Sequence, residues 1–311
     1  MNKDIIFLTP VCTHNIWGGT RLRTEFGYPI EGDDIGECWG ISAHPNGDGT
    51  VASGAYKGMK LSELWEKHPE LFGDTGMDRF PLLIKIIDAK DDLSIQVHPD
   101  DAYAKVHENG SLGKTECWFI LDCKENATLV VGHNAKSREE LEQMIQEGKW
   151  KEFIREIPIK PGDFIQIDPG TVHAIKGGTL LLETQQSSDI TYRVYDYDRL
   201  SNGKPRQLHI TQSIDVITVP AKSAENSVVH TEKKDDAIQQ LICCPYYTVY
   251  RIDVEHRVET WQDKPFVLMS VVEGEGTLNG TPLKKGDHLI LPDGYGKVEL
   301  QGRMQIIAST I

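Results

Sequence analysis

One strand–turn–strand pattern occurs twice in this chain of 311 residues, and it restricts the fold more than any other feature. The first copy, at residues 157–175, reads IPIKPGDFIQIDPGTVHAI, and the second, at 281–300, reads TPLKKGDHLILPDGYGKVEL. Each copy has an apolar and basic lead, a Gly-Asp turn, an apolar strand and a second turn rich in Pro, Asp and Gly. A duplicated unit of this kind predicts two related β-barrels or one duplicated jelly roll.

Most of the remaining chain consists of short apolar or alternating segments bounded by Gly, Pro and Asp, such as PLLIKIIDA, ECWFILDC and TLLLETQ. These are typical of strands. Helical spacing of apolar residues, in places with a capping box or a proline at the first turn, occurs in four short stretches, at residues 61–65, 100–107, 137–148 and 210–217. The sequence therefore predicts a mostly-β protein with helical insertions.

The two copies of the repeat differ where chemistry would be expected. The second turn of the first copy is followed by His173, and the corresponding residue of the second copy is Lys297. We infer that the first copy carries the function and that the second is degenerate. We expect a catalytic unit at residues 1–230 with the helical insertions, a second unit at 231–311, and a linker within the polar stretch 220–238.

Charge restricts the partners of the chain. Lys and Arg total 33 and Asp and Glu total 47, which gives a formal net charge of −14. A nucleic acid or an anionic membrane surface needs a basic footprint, so neither is expected as a partner. An anionic small molecule would need a local cluster of cations. Six dispersed cysteines without a CxxC pair, and an N-terminus without a long apolar run, predict a reduced, cytoplasmic protein.

In the segment LSIQVHPDD, apolar and polar residues alternate, as in a strand whose two faces lie in different environments. This period puts Ser94, Gln96 and His98 on one face. If the apolar face packs under the helical insertions, the polar face points into the barrel and builds a site. An ordinary amphipathic strand with its polar face in water would show the same alternation.

Two further segments supply residues of the same chemical type. The strand GKTECWFIL places Lys114 and Glu116 on one face, and the turn before His173 directs that histidine towards the barrel mouth. Together with Gln96 and His98, they offer two imidazoles, one carboxylate and one amide oxygen. This set fits catalytic zinc and equally fits non-haem iron(II).

These motifs resemble the class I mannose-6-phosphate isomerases (phosphomannose isomerases) of the cupin superfamily, in their short bacterial form. The resemblance is carried by NIWGGTRL, GECWGISAHPNG, PLLIKIIDAKDDLSIQVHPDD, GKTECWFIL, PGTVHAI and SSDITYRVYDYDR. It implies two cupin-type jelly-roll β-barrels, with helical insertions in the first and no metal ligands in the second. It also implies one Zn²⁺ per chain, with four protein ligands at Gln96, His98, Glu116 and His173.

The same resemblance implies the remaining site residues. Arg193 matches the catalytic arginine of the family, Asp189 matches a residue that lines the site, and Ser94 and Lys114 match substrate contacts. Arg199 matches a family lysine by spacing alone. One position departs from the pattern, because Ile175 stands where longer members have a tyrosine.

The implied reaction interconverts mannose 6-phosphate and fructose 6-phosphate through a cis-enediol, with a proton moving between C2 and C1. The proton carrier stays open among a metal-bound water, Asp189 and Lys114. The implied partner is a small sugar phosphate substrate. The protein itself is expected to be a monomer or a homodimer. Three other functions use similar residues: an iron(II) dioxygenase, a non-catalytic sugar-phosphate binder and a cupin-type glucose-6-phosphate isomerase.

Overall fold

A computed structural model describes residues 4–224 and 227–311. Within these residues the chain forms 23 β-strands and six α-helices, so the mostly-β prediction is confirmed. The strands make three large sheets and one short ribbon, in which β14 (Leu200–Ser201) pairs with β15 (Lys204–Pro205).

The N-terminal part of the chain forms two facing sheets. The first has seven strands, in the spatial order β16 (Val228–His230), β10 (Asp163–Ile167), β7 (Glu116–Cys123), β12 (Thr179–Gln186), β5 (Leu82–Ala89), β2 (Val11–Gly19) and β3 (Ile35–Ile41). The second has five, in the order β13 (Tyr192–Tyr195), β6 (Ile95–Val97), β11 (His173–Ala174), β8 (Thr128–His133) and β9 (Ile154–Pro158). Leu129 of β8 and Leu181 of β12 share one buried apolar cluster, which shows that the two sheets enclose a core. The first predicted jelly roll takes this two-sheet form, and no closed ring of strands occurs in the described part of the chain.

The helices are short and most are inserted between the strands of the N-terminal sheets. They are α1 (Arg21–Thr24), α2 (Leu61–Lys67), α3 (Asp101–His107), α4 (Arg138–Gln146), α5 (Trp150–Phe153) and α6 (Ile210–Val216), with 3-10 turns at Gly54–Tyr56 and Pro69–Phe72. All four predicted helices are present. Ser137 caps α4, because its hydroxyl accepts a hydrogen bond from the backbone N–H of Glu140 at 3.2 Å. No helix within residues 4–224 and 227–311 is long and apolar enough to cross a membrane.

Helix α4 explains which way strand β6 faces. Leu141 and Ile145 of α4 belong to the same buried cluster as Ile95 and Val97 of β6. Ile95 and Val97 are thus covered by an insertion, whereas Leu93, which precedes β6, packs in the cluster between the two sheets, and the side chain of Gln96 reaches a cavity. The inward-facing interpretation of this strand is confirmed.

The C-terminal sheet has nine strands. Its main order is β17 (Ala237–Cys243), β18 (Thr248–Val254), β23 (Gly296–Thr310), β20 (Val267–Leu278), β22 (His288–Leu291), β1 (Ile6–Thr9) and β4 (Thr50–Val51), with β19 (Arg257–Gln262) on β23 and β21 (Thr281–Lys284) on β20. Strands β1 and β4 therefore come from the N-terminal end of the chain. The domain boundary between residues 230 and 231 stays a prediction. Strands β1 and β4 precede this boundary in the chain but pair within the C-terminal sheet.

The expected linker at 220–238 is not structureless in the part that the structure describes. Strand β16 lies inside it and pairs with β10, with Asp163 opposite His230. Residues 225–226 of the same stretch lie outside the described residues. The chain thus stays attached to the first unit until shortly before β17 begins.

One apolar core joins the two units. Trp65 of α2 and the nearby Phe72 and Phe80 surround Phe266, which immediately precedes β20, with ring centroids 5.0–6.1 Å apart. All four side chains are buried. Because such rings bury large apolar areas, this cluster fixes the N-terminal insertions against the C-terminal sheet.

The sequence repeat has the same local geometry in both copies. Gly162 and Gly286 adopt φ values of 89° and 92°, which only glycine adopts without strain. The aspartate after each glycine accepts a hydrogen bond from the backbone N–H three residues earlier, at 2.9 Å in the first copy and 2.8 Å in the second. The two copies diverge only after the following strand, where His173 is fully buried and Lys297 is exposed.

Candidate metal centre

Three strands of the facing sheets bring His98, Glu116 and His173 to one buried point. Glu116 opens β7, His173 opens β11, and His98 follows directly after β6. One ligand atom of each lies within 4.8 Å of the others, and all three side chains are buried. Among the residues described, this is the only such group of three or more His, Cys, Asp or Glu side chains.

Gln96 adjoins the same point. It is paired in register with His173, and its Nε2 lies 3.2 Å from Nε2 of that histidine. The two ends of an amide are exchanged by a half-turn of its last bond, so Oε1 can occupy the same position. The structure thus brings together all four predicted metal ligands.

Two members of this group, His98 and Glu116, have side-chain atoms without a well-formed hydrogen bond, which is the pattern expected where a cation binds. Both ring nitrogens of His98 and both carboxylate oxygens of Glu116 are buried without a hydrogen bond of good geometry. His98 Nε2 and His173 Nε2 lie 3.4 and 3.3 Å from the Glu116 oxygens. Unpaired buried polar atoms are costly, and a divalent ion among them would remove that cost. The donor set of two imidazoles, a carboxylate and an amide oxygen fits zinc and fits iron(II) as well.

The electrostatics hold the donors in the protonation states that a metal needs. Burial lowers the pKa of His98 to about 3, so its imidazole is neutral at physiological pH. Burial also lowers the pKa of His173. Its Nδ1–H donates to the carbonyl of Thr171 at 2.8 Å, which leaves the lone pair of Nε2 directed at the cluster. Both histidines are thus prepared as ligands.

Lys114 stabilises the charged form of Glu116. Its Nζ lies 3.0 Å from Oε2 of that carboxylate. Burial would raise the pKa of Glu116, but Lys114 and the two imidazoles hold it well below its ordinary value. Burial would lower the pKa of Lys114, and the carboxylates of Glu116 and Glu183 raise it instead. The pair is therefore fully ionised, with the lysine fixed as a cation beside the cluster.

A polar cavity of about 220 Å³ opens beside this centre. Its lining includes five of the predicted site residues: Ser94, Gln96, Lys114, Asp189 and Arg193. Ile175, which replaces the family tyrosine, lines it too. The structure thus brings five of the predicted site residues to one cavity.

Arg193 lies on β13, which pairs with β6, the strand that carries Gln96. It is paired in register with Gln96, which places both residues at the same level of the sheet. Its Nη1 donates to the carbonyl of Gln207 at 2.9 Å, while its Nε is buried without a partner. Burial and the charge of Arg206 lower its pKa, although the group stays cationic at any working pH. Asp189 faces the same cavity and lies 3.4 Å from Nε2 of His44.

Arg199 is placed differently from the expectation. It is not among the cavity-lining residues, and its guanidinium binds Asp196 and the carbonyl of Asp92. Tyr197 and Asp198, which immediately precede Arg199, adopt left-handed φ values of 56° and 54°. The prediction for Arg199 was based on sequence spacing alone, and spacing does not reveal this left-handed turn.

Several residues that line the cavity were not predicted from the sequence. Lys85 of β5 lies 3.6 Å from a carboxylate oxygen of Glu37 and 3.5 Å from one of Glu183. Glu183 also accepts a hydrogen bond from Trp118 Nε1 at 3.0 Å. Burial and the charge of Glu116 raise the pKa of Glu183 above its ordinary value. The one local signal for Glu183 in the sequence was a carboxylate directly after the three leucines of TLLLETQ.

Comparison with protein families finds two matches within the chain. Residues 5–119 match the family described as phosphomannose isomerase type I, catalytic domain. Residues 237–311 match mannose-6-phosphate isomerase, cupin domain. The second match coincides with the start of β17 and includes most of the C-terminal sheet.

Comparison with individual proteins extends over the whole chain. The mannose-6-phosphate isomerase ManA of Bacillus subtilis is 50% identical over 99% of both chains. A mannose-6-phosphate isomerase of Streptococcus mutans is 48% identical over 98% of this chain and 97% of its own. The crystal structure of a Bacillus subtilis mannose 6-phosphate isomerase superposes with a TM-score of 0.92 at 49% identity, over 99% of this chain and 100% of its own.

Proposed function

Because the chain belongs to the type I phosphomannose isomerase family, we propose that it is a zinc-dependent isomerase that interconverts mannose 6-phosphate and fructose 6-phosphate through a cis-enediol. The observation that carries the proposal is the buried group of His98, Glu116 and His173 beside a cavity lined by lysine and arginine side chains. In a chain of net charge −14, such a cation-lined cavity is suited to an anionic sugar.

The metal would be held by Gln96, His98, Glu116 and His173. The buried atoms of His98 and Glu116 that lack a well-formed hydrogen bond, and the lowered pKa values of both histidines, support this assignment. When bound, the ion supplies Lewis acidity to the oxygens on C1 and C2 of the sugar. Lys114 keeps the glutamate ligand ionised, and its side chain also reaches the cavity.

Arg193 would stabilise the negative charge that develops on the sugar oxygens as the proton leaves C2. It lies at the level of Gln96, its position is fixed by Gln207, and its buried Nε is free to donate. A fixed charge of this kind interacts more strongly with the enediolate than with the neutral ground-state sugar. Its effect should therefore appear mainly in kcat.

Glu183 is the residue best suited to move the proton between C2 and C1. It lines the cavity, and its raised pKa brings it nearer to the working pH, where a general acid–base is most effective. Lys114 is less suited because its pKa is raised and its charge is tied to Glu116. Asp189 is held at the side of the cavity by His44.

The test of this function follows the product and the exchanged proton together. Purified protein is incubated with mannose 6-phosphate in D₂O, and the products are observed by NMR. We expect fructose 6-phosphate carrying deuterium at C1, because an acid–base residue exchanges its proton with solvent. Deuterium at C1 would exclude direct hydride transfer, fructose 6-phosphate without deuterium would contradict solvent exchange at the acid–base residue, and no turnover would contradict the isomerase.

The other candidate functions have different readouts with the same protein. An iron(II) dioxygenase would consume oxygen. A non-catalytic binder would bind mannose 6-phosphate without product, and a glucose-6-phosphate isomerase would convert glucose 6-phosphate faster than mannose 6-phosphate. Location in the cytoplasm and assembly as a monomer or homodimer stay predictions from the sequence.

A further inference from the structure

Three arginines and one buried aspartate form a charged cluster at one side of the cavity. Asp196, at the end of β13, is buried and accepts hydrogen bonds from two guanidinium groups. One belongs to Arg199 and the other to Arg206, and Arg193 lies close enough for both charges to lower its pKa. Three cations and one anion leave this cluster with an excess of two positive charges.

The two arginines that bind Asp196 differ in how many of their nitrogens form hydrogen bonds. Arg199 directs Nε to the carbonyl of Asp196, Nη2 to its carboxylate and Nη1 to the carbonyl of Asp92. Every nitrogen of that guanidinium is therefore occupied. Its contacts are those of a residue that holds a turn together.

Arg206 has spare hydrogen-bonding capacity. Its Nε and Nη2 contact the two carboxylate oxygens of Asp196 at 2.8 and 2.5 Å. Within the described residues Nη1 has no hydrogen bond, and Arg206 is one of the residues that line the cavity. The two-point contact with Asp196 fixes the plane of the guanidinium, so the free edge is held in place before any ligand binds.

The other cations of the cavity are already neutralised. Lys85 lies between Glu37 and Glu183, and Lys114 is paired with Glu116. The excess positive charge of the cavity therefore lies at the arginine cluster. A doubly charged phosphate would find its strongest attraction there, with planar guanidinium groups that match its geometry.

We propose that Arg206, positioned by Asp196, binds the phosphate group of the substrate, and that Arg199 is a structural residue of the adjoining turn. This assignment rests on the proposed function, because it takes the ligand to be a sugar phosphate. It replaces the substrate contact that spacing alone predicted for Arg199. Arg193 then lies between the phosphate subsite and the metal ligands.

The test compares three Arg→Gln variants with inorganic phosphate as the probe. Phosphate binding is measured by calorimetry, and phosphate inhibition and the KM for mannose 6-phosphate are measured by turnover. For Arg206→Gln we expect phosphate affinity to fall by about 10- to 100-fold, with a matching rise in KM and kcat within a few-fold, since one charge-assisted contact is lost. Arg206→Lys should recover only part of the affinity, because an ammonium lacks the planar fork.

The control variants decide between the two arginines. Arg303→Gln changes an exposed arginine of the C-terminal sheet that pairs with Glu255, and it should bind phosphate like the unmodified protein. Arg199→Gln should lower the melting temperature while phosphate affinity stays within about threefold. Loss of phosphate affinity in Arg199→Gln but not in Arg206→Gln would overturn the assignment, as would unchanged affinity in both.

Failure of the proposed function gives a different result. Calorimetry needs no turnover, so phosphate binding that depends on Arg206 in a protein without isomerase activity would refute the proposed function alone. Normal turnover with a KM that is unchanged in both Arg206 variants would refute the phosphate subsite alone. Circular dichroism of each variant shows whether it has folded.

Discussion

Replacing Arg193 with alanine removes a single fixed charge from the site without touching a metal ligand. Its Nε is buried without a partner, its Nη1 is held 2.9 Å from the carbonyl of Gln207, and its strand register sets it opposite Gln96. Loss of one such preorganised donor in a water-excluded site costs about 3–4 kcal/mol of transition-state stabilisation. We therefore expect kcat to fall by roughly two to three orders of magnitude.

The assay is steady-state turnover of mannose 6-phosphate, with metal content and melting temperature measured on the same preparations. We expect Arg193→Ala to keep its metal and fold normally, with KM changed far less than kcat. Arg193→Lys should recover little, because a point charge cannot reproduce the guanidinium geometry. Lys297→Ala is the matched control, since this exposed cation of the C-terminal sheet pairs with Glu259 and should be silent.

Two results would refute this reasoning. A kcat within a few-fold of the unmodified value would mean that Arg193 serves only to hold the carbonyl of Gln207. A rise in KM with kcat unchanged would move Arg193 to phosphate binding and leave the position beside the metal without a cation. A large loss in Lys297→Ala would show that the second unit takes part in the reaction.

Three further changes test other parts of the structure. Glu183→Gln keeps the size of the side chain but cannot carry a proton, so kcat should fall by about 10²- to 10⁴-fold with metal content unchanged in elemental analysis. For Asp196, burial would raise the pKa, but the bonds from Arg206 and Arg199 lower it, so its stabilisation is present above about pH 4 and is lost as the pH falls below that. Asp196→Asn should therefore cost about 3 kcal/mol in urea unfolding at pH 7 and less at pH 3, and an equal cost at both would contradict the ion-pair account. Phe266→Ala should cost about 3–5 kcal/mol in the same assay, because it leaves a cavity among the aromatic rings that join the two units, and a cost below 1 kcal/mol would show that this cluster does not stabilise the protein.

The proximity of the four candidate metal ligands could be predicted from sequence because the signals that place them are local. Strand alternation in LSIQVHPDD puts Gln96 and His98 on one face, and the Pro-Gly turn at residues 169–170 precedes the strand that His173 opens. The resemblance to a known family then supplied their roles. The capping box at Ser137 and its helix were equally local, and both are present.

The rest of the site depends on pairing between segments far apart in the chain. Lys85 meets Glu183 because β5 and β12 are neighbours in the seven-stranded sheet, with these two residues in register. Strand β1 joins the C-terminal sheet through β22, which no local pattern indicates. Arg206 lines the cavity, whereas Arg199, which spacing predicted as a substrate contact, does not. Such pairings are fixed by packing of the whole fold, so one segment of sequence does not reveal them.

Isomerisation should require a single divalent ion held by the His-Glu-His group. To test this requirement, the protein is stripped with a chelator and Zn²⁺ is added in steps, and bound zinc and turnover of mannose 6-phosphate are measured on each sample. We expect turnover to rise in proportion to zinc and to reach its limit at about one ion per chain, whereas His173→Ala retains neither zinc nor activity while staying folded. Full turnover in the metal-free protein, or in His173→Ala, would contradict this requirement.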